Sequence, residues 1–317
     1  MYNATFHPKA SIPKVPGLLL RRVALGCNLL GVMACGSQNG IVGRQAPPTA
    51  TFETEFVAND GVWETTAVLS GAAVEFGQPS AAARDGNLAT LRFPGHAEYA
   101  ATDYVGPDYV TQIATVASFH FGTLRTRVAF GSCRSTEDTV SAVLGYARDG
   151  SDLNGNQITD DSEITLQIAC GTPSFAYLTV FTDYDVSAAG VETFRKLSHV
   201  VDFSTGMQYD TPSDSTDDFV ASGTEPNLAR ASLVADGGFY EVGFDWQSGS
   251  IRFFLVDGTE ELTLWTLTGS AHIPQQPVHL MYNLWHPDSH WYPATGVAQF
   301  PADDVVMQLD WLRYESD

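Results

Sequence analysis

Lysine is nearly absent from this chain of 317 residues: three occur, Lys9, Lys14 and Lys196. Acidic residues outnumber Lys and Arg by 37 to 16, for a formal net charge of −21. A field of that sign repels phosphate backbones, which argues against nucleic acid as a partner. Long apolar runs are missing too. The run Val23–Met33 is too short to cross a bilayer as a helix, and no stretch of useful length carries a helical period. Cysteine is scarce, with four residues at Cys27, Cys35, Cys133 and Cys170, so no disulfide-dense scaffold is encoded.

What the chain does contain favours strands. Hydrophobic residues make up 44%, enough for a sizeable core, and Thr, Val, Phe and Tyr are plentiful. Short strand-like runs follow one another from Thr51 onward. They include Phe52–Val57, Val62–Val68, Ala89–Phe93, Thr111–Ala117, Thr123–Phe130, Val140–Ala147, Glu163–Ala169, Phe175–Thr182, Phe194–Val201, Tyr240–Trp246, Ile251–Val256, Leu262–Trp265, Val278–Trp285 and Val305–Tyr314. Turn-rich pieces such as Gly77-Gln78-Pro79-Ser80 and Gln247-Ser248-Gly249 separate them. Many antiparallel strands without βα alternation predict an all-β fold, two stacked sheets in a sandwich or jelly roll. Asp210–Gly223, rich in Asp, Ser and Thr, reads as an exposed loop. Trp246 and Trp265 read as core residues.

The N-terminus reads as an export signal. Lys9, Lys14, Arg21 and Arg22 precede the apolar run, and a small-residue site follows at Ala34-Cys35. V-M-A-C resembles a bacterial lipobox, which would make Cys35 a lipidated first residue; ordinary signal-peptidase cleavage is the alternative. Residues 1–35 are therefore expected to be a signal, residues 36–50 a flexible tether, and residues 51–317 one folded domain. The expected location is the bacterial cell envelope, as an outer-membrane lipoprotein, or the medium. Any membrane association would run through the lipid. Cys133 and Cys170 remain as an even pair in a disulfide-permissive compartment, the alternative being two separate buried thiols.

The most informative stretch is D-D-S-E-I-T-L-Q-I-A, Asp160 to Ala169. Alternation puts Glu163, Thr165 and Gln167 on one face of a strand and Ile164, Leu166 and Ile168 on the other. A polar row backed by an apolar row is the layout a strand-borne glycosidase site requires. Retaining glycosidases need two carboxyl groups about 5–5.5 Å apart, and here the first position is a carboxylate and the third an amide.

Five segments, in order, resemble glycoside hydrolase family 16, β-glucanases and β-galactanases with a concanavalin A-like jelly roll. They are F-H-F-G-T-L-R-T-R-V (Phe119–Val128), D-S-E-I-T-L-Q-I (Asp161–Ile168), F-Y-E-V-G-F-D-W-Q-S-G-S-I-R-F-F-L-V-D-G (Phe239–Gly258), I-P-Q-Q-P-V-H-L-M-Y-N-L-W (Ile273–Trp285) and M-Q-L-D-W-L-R-Y (Met307–Tyr314). The resemblance implies that Glu163 stands at the nucleophile position. Thr165 stands where the family has an assisting Asp, and Gln167 where it has the acid/base Glu. A carboxamide cannot protonate a leaving glycosidic oxygen, and general acid/base help is worth about 10²–10⁴-fold, so hydrolysis is expected to be impaired. Trp285, Trp291 and Tyr292 cluster in N-L-W-H-P-D-S-H-W-Y. With His286 they are the expected substrate contacts, because sugar C–H faces stack on aromatic rings. His290 reads as a surface or cleft polar group.

A calcium reading competes for part of this region. Asp152, Asn154, Asn156, Asp160 and Glu163 fall at positions 1, 3, 5, 9 and 12 of an EF-hand-like loop. Gln157 replaces the turn glycine, however, and a strand follows in place of a helix. The resemblance also puts Asp310 at a position that helps to hold a structural calcium in some family members. No cofactor is required. Three readings stay open: an exported retaining hydrolase of β-glucan or β-galactan, an inactive surface protein that binds such glycans, and a calcium-stabilised envelope protein.

Overall fold

The computed structural model describes residues 51–67, 69–95, 110–147, 161–182, 195–214, 218–229, 237–269, 271–287 and 289–317. The expected signal and tether, Cys35, Asp152, Asn154, Asn156 and Asp160 lie outside them. Among the described residues the chain forms strands and one 3-10 turn, Pro226–Leu228. The first strands are β1 (Phe52–Thr54), β2 (Trp63–Ala67), β3 (Ala73–Pro79), β4 (Asn87–Phe93), β5 (Val110–Phe119) and β6 (Gly122–Ala129). Next come β7 (Val140–Ala147), β8 (Ser162–Ala169), β9 (Phe175–Thr182), β10 (Arg195–Asp202), β11 (Met207–Asp210) and β12 (Val220–Thr224). The series closes with β13 (Phe239–Gln247), β14 (Ser250–Asp257), β15 (Glu260–Thr268), β16 (Val278–Trp285) and β17 (Val305–Ser316).

All of them pair antiparallel, in two sheets. One has the order β15-β14-β13-β6-β17-β4-β3, with β1 also on β17; the other runs β12-β11-β10-β9-β8-β7-β16-β5-β2. The expected all-β, two-sheet antiparallel jelly-roll sandwich is therefore the observed fold. Apolar residues of both sheets meet in one large core. Ile164, Leu166 and Ile168 from β8 pack there with Leu178 and Val180 from β9, Leu280 and Tyr282 from β16, and Val128, Phe244 and Leu309 from the facing sheet. A polar tie crosses this core. The Tyr282 hydroxyl donates to Thr126 Oγ1 at 2.7 Å, and Thr126 donates on to the Trp311 carbonyl at 2.7 Å. Trp246 is fully buried with its indole N–H on the Pro274 carbonyl, and Trp265 stacks between His199 and Phe253.

Strand β8 is the middle strand of its sheet, bonded to β7 and β9 along nearly its whole length. Its register sets Glu163 between Tyr146 and Phe181, Thr165 between Leu144 and Thr179, and Gln167 between Ala142 and Tyr177.

Three strands differ from the sequence expectation. β3 runs through the Gly77–Pro79 segment read as a turn, and β11 and β12 contribute parts of the stretch read as a loop. β12 is exposed at every residue, so it has no apolar alternation to reveal it; its backbone pairing with β11 makes it a strand. Gly77 sits at φ 67°, and a Cβ there would lie 2.4 Å from the Val57 carbonyl oxygen, so the position requires glycine inside β3.

Cys133 and Cys170 are disulfide-bonded, as the cysteine count anticipated. The bond ties the segment before β7 to the end of β8 across a separation of 37 residues. Replacing both cysteines by alanine is expected to lower unfolding stability by about 4 kcal/mol on the chain-entropy account. Urea denaturation with and without the bond reads that difference directly.

Candidate functional site

The polar row of β8 lies on the outer face of the nine-stranded sheet, turned away from the core. Glu163 and Gln167 are half-buried, and Thr165 between them is fully buried. Thr165 Oγ1 donates to Glu163 Oε1 at 2.6 Å. Burial pushes the Glu163 carboxyl above the usual range; the Thr165 hydroxyl and the positive charge of Lys196 pull it back, while the charge of Asp161 adds to the rise. Lys196, the one lysine of the folded domain, follows in the next strand but one, along the row Glu163–Phe181–Lys196.

Glu163 stands alone in its chemistry. Across the adjacent strands β5, β16, β7, β8 and β9 it is the only acidic residue. Where a retaining pair needs its second carboxyl, the row of Gln167 offers Tyr177 on β9, Ala142 on β7, then Asn283 and Gln112 on β16 and β5. Asn283 is buried to 5% exposure, and its side-chain oxygen has no hydrogen-bond partner. The arrangement can hold a hydroxyl-rich ligand by amide and hydroxyl contacts. It can present one nucleophilic carboxylate, and these strands contain no second carboxyl to serve as the acid/base of a retaining pair. Sequence reasoning missed Asn283 and Tyr177; the two-residue period of β16 and β9 places them on the right face, and only strand order brings them beside Gln167.

The expected aromatic platform lies on this same face, at the Ala169 end of β8. Val140, Ala169, Tyr177 and Val200 form a small apolar cluster against which Trp285, Trp291, Tyr209 and Phe219 pack. Trp285 and Trp291 have ring centroids 5.6 Å apart, and Trp291 meets Tyr177 edge to face at 4.8 Å. Tyr292 packs on Tyr209 at 5.0 Å and Phe219 at 5.4 Å. His286 does not join the platform. Alternation turns it to the side opposite Trp285, where it is 3% exposed, bonded to the Asp138 carbonyl and packed against Phe300. That placement removes it from the expected substrate contacts. His290, read as a surface or cleft polar group, has its Nδ1 3.2 Å from the buried Asp138 carboxylate.

Asp310 lies at the other sheet, where a bulge in β17 leaves it without a partner in the ladder between Leu309 and Trp311. Its carboxylate groups with those of Glu55 and Asp85, with one oxygen from each within 4.8 Å of the others. The donor set does not fit a calcium ion as it stands. Arg84 N–H donates to Asp310 Oδ1 at 2.8 Å, and the Arg127 guanidinium pairs with Oδ2. Arg84 also pairs with Glu53 at 2.7 Å and with Glu55, and Arg127 reaches the Ala82 carbonyl at 2.8 Å. Both guanidinia lie over rings, Arg84 over Trp311 and Arg127 over Phe239. A divalent ion bound by these acids would have to displace a guanidinium already bonded to them.

No protein-family model matches the chain. A curated β-glucanase of Paenibacillus macerans is 33% identical over 100 residues; the match spans 30% of this chain and 37% of that protein. Among solved structures, a native glycosidic hydrolase aligns with a TM-score of 0.51 at 15% identity, covering 86% of this chain and 99% of the other. A prokaryotic β-1,3-1,4-glucanase (lichenase) derived from a mouse hindgut metagenome aligns with a TM-score of 0.50 at 14% identity, covering 84% of this chain and 100% of its own. The structural likenesses bear out the two-sheet fold, and the curated match agrees with the resemblance to β-glucanases over the 100 residues it spans.

Two outcomes follow from this geometry. Because burial raises the Glu163 pKa, its stability contribution is fully present below the unfolded value and is lost as pH rises through the folded one. Glu163→Gln, which still accepts the Thr165 hydrogen bond, is therefore expected to be more stable than the parent at pH 7. The gain should vanish towards pH 3, as read by denaturation at both pH values. At the second cluster, EDTA is expected to leave the melting temperature unchanged. Arg127→Ala should lower stability by about 1–3 kcal/mol through the unpaired Asp310 carboxylate.

Proposed function

We propose that the outer face of the nine-stranded sheet is a binding groove for a β-linked polysaccharide, a β-glucan or β-galactan, in a protein whose hydrolytic chemistry is suppressed. The observation that carries this reading is the row Glu163–Thr165–Gln167. It opens away from the core as a glycosidase row does, yet it holds the only acidic residue of five neighbouring strands. Retention requires an acid to protonate the departing oxygen and a base to activate water afterwards. Gln167 can do neither. What remains is recognition: Trp285, Trp291 and Tyr292 as stacking surfaces, with Asn283, Gln167 and Gln112 as amides for sugar hydroxyls.

The likeness to a β-glucanase and to a β-1,3-1,4-glucanase supports a glucan as the first ligand to try. Export belongs to the same reading. A basic, then apolar, then small-residue order in the first 35 residues supports a signal ending at Cys35, whose lipid would tether the domain to the cell envelope. The disulfide supports an oxidising compartment.

The test is a pair of variants on a panel of β-glucans and β-galactans. Trp291→Ala is expected to weaken binding of the preferred glycan by roughly tenfold, about 1.4 kcal/mol, the scale of one aromatic contact. The double variant Thr165→Asp, Gln167→Glu is expected to gain hydrolysis of that glycan by about 10²-fold or more over the parent. Parent turnover that already matches the double variant, and disappears in Glu163→Ala, would replace the binding reading by a retaining hydrolase. No affinity for any β-glycan would remove both.

A further inference from the structure

The segment from β16 to β17 carries Trp291 and Tyr292, and both of its ends are held by two residues that lie before β7. At the far end, Glu137 bridges to Gln299, its carboxylate accepts the Ala302 N–H at 3.1 Å, and the Asp138 N–H donates to the Gln299 carbonyl at 3.0 Å. At the near end, His286 Nδ1–H donates to the Asp138 carbonyl at 2.8 Å, and His290 Nδ1–H donates to Asp138 Oδ2 at 3.2 Å. The other oxygen, Oδ1, accepts the Gly171 N–H at 2.9 Å, beside the disulfide at Cys170. A Cβ on Gly171 would lie 3.0 Å from this carboxylate and 2.8 Å from the Glu137 carbonyl, so the approach needs glycine.

We infer that Asp138 is the positioning residue of the aromatic platform: by holding His286 and His290 at once, it sets Trp285 and Trp291 at their separation and seats Trp291 against Tyr177. Its carboxylate is completely buried, and a buried charge is tolerated where hydrogen bonds and a partner compensate it. Its contacts come from the rigid end of β8, from the neighbouring Thr139 backbone and, on Oδ2, from His290 of the platform segment. Losing His290 removes the one side-chain donor to a buried charge, so the segment is held to a single arrangement. Tyr177 completes the seat. Its hydroxyl donates to the Tyr292 carbonyl and lies 2.7 Å from Thr172 Oγ1, fixing the ring on which Trp291 rests. None of these groups needs to touch a ligand. They act through the two tryptophans, and they make the affinity of the groove depend on a residue outside it.

The inference rests on the groove reading for its binding consequence, and its optical readout is independent of that reading. Two indoles 5.6 Å apart couple as excitons, and Trp285→Phe identifies their circular-dichroism couplet. In the full-length protein, Asp138→Ala and His290→Ala are each expected to abolish the couplet. They are also expected to weaken binding of a soluble β-1,3-1,4-glucan by about tenfold or more, the scale of a hydrogen bond to a charged group. His290→Gln, which retains a donor, should restore most of both. Unchanged far-UV spectra verify folding; if Asp138→Ala does not fold, the two His290 variants decide alone. A couplet that survives His290→Ala overturns the inference, as does a loss that His290→Gln leaves unrestored. If the couplet behaves as stated while the parent binds no glucan, the positioning role stands and the groove reading falls.

Discussion

The pairing register of β8 is the constraint on which the rest of the structure depends. Side chains along a strand alternate, so a slip of one residue would send Glu163, Thr165 and Gln167 into the core and Ile164, Leu166 and Ile168 out to solvent. Burying an unpaired carboxylate costs far more than burying an isoleucine gains. Pairing to β7 and β9 along both edges makes the slip more costly still, because those ladders would have to shift with it. The polar tie from Tyr282 through Thr126 to Trp311 fixes the facing sheet against β16, which pairs with β7 on the side away from β8. Position in the sheet thus makes the outer face a defined surface, with the Glu163 carboxylate at a known place.

That surface separates scaffold from chemistry. A fold shared with glycosidases places side chains in a row, but the row's reactivity is a property of the groups in it. Here the hydroxyl of Thr165 and the charge of Lys196 attend the single carboxylate, and amides fill the positions farther along. Such groups recognise hydroxyl-rich ligands without moving protons. The aromatic rings next to them extend the same capacity, and the Asp138 contacts explain why those rings occupy one arrangement. On the opposite sheet, two arginines occupy the acidic cluster. Arg84 and Arg127 neutralise the acidic cluster at the β17 bulge and lie over rings at the same time, a combination open to the guanidinium and less so to lysine. The scarcity of lysine in the chain fits this use of its cations.

Much of the fold was legible because strands report themselves locally. Val140–Ala147, Phe175–Thr182 and Val278–Trp285 have the same bounds in sequence and structure. Of the strands that escaped notice, β12 has no apolar face to leave a period behind, and β3 and β11 lay in stretches whose Gly, Pro, Asp and Ser content read as turn or loop. The site was half legible. Alternation placed Glu163, Thr165 and Gln167 on one face, and the aromatic cluster near Trp291 was visible as a cluster. His286 was misplaced because its neighbours in sequence were aromatic, although the same alternation that turns Trp285 outward turns His286 inward.

By itself the sequence determined which residues could share a face, that the fold is built of antiparallel strands, that the two cysteines of the domain could pair, and that the row on β8 carries one carboxylate. These follow from a period of two residues and from side-chain chemistry, both of which are local. Tertiary structure alone decided the neighbours: Asn283 and Tyr177 in the row of Gln167, Lys196 beside Glu163, Asp138 beneath the two histidines, and Arg127 upon Asp310. Residues far apart in the chain meet through strand order and sheet stacking. That order is set by the packing of the whole core, which no single segment encodes.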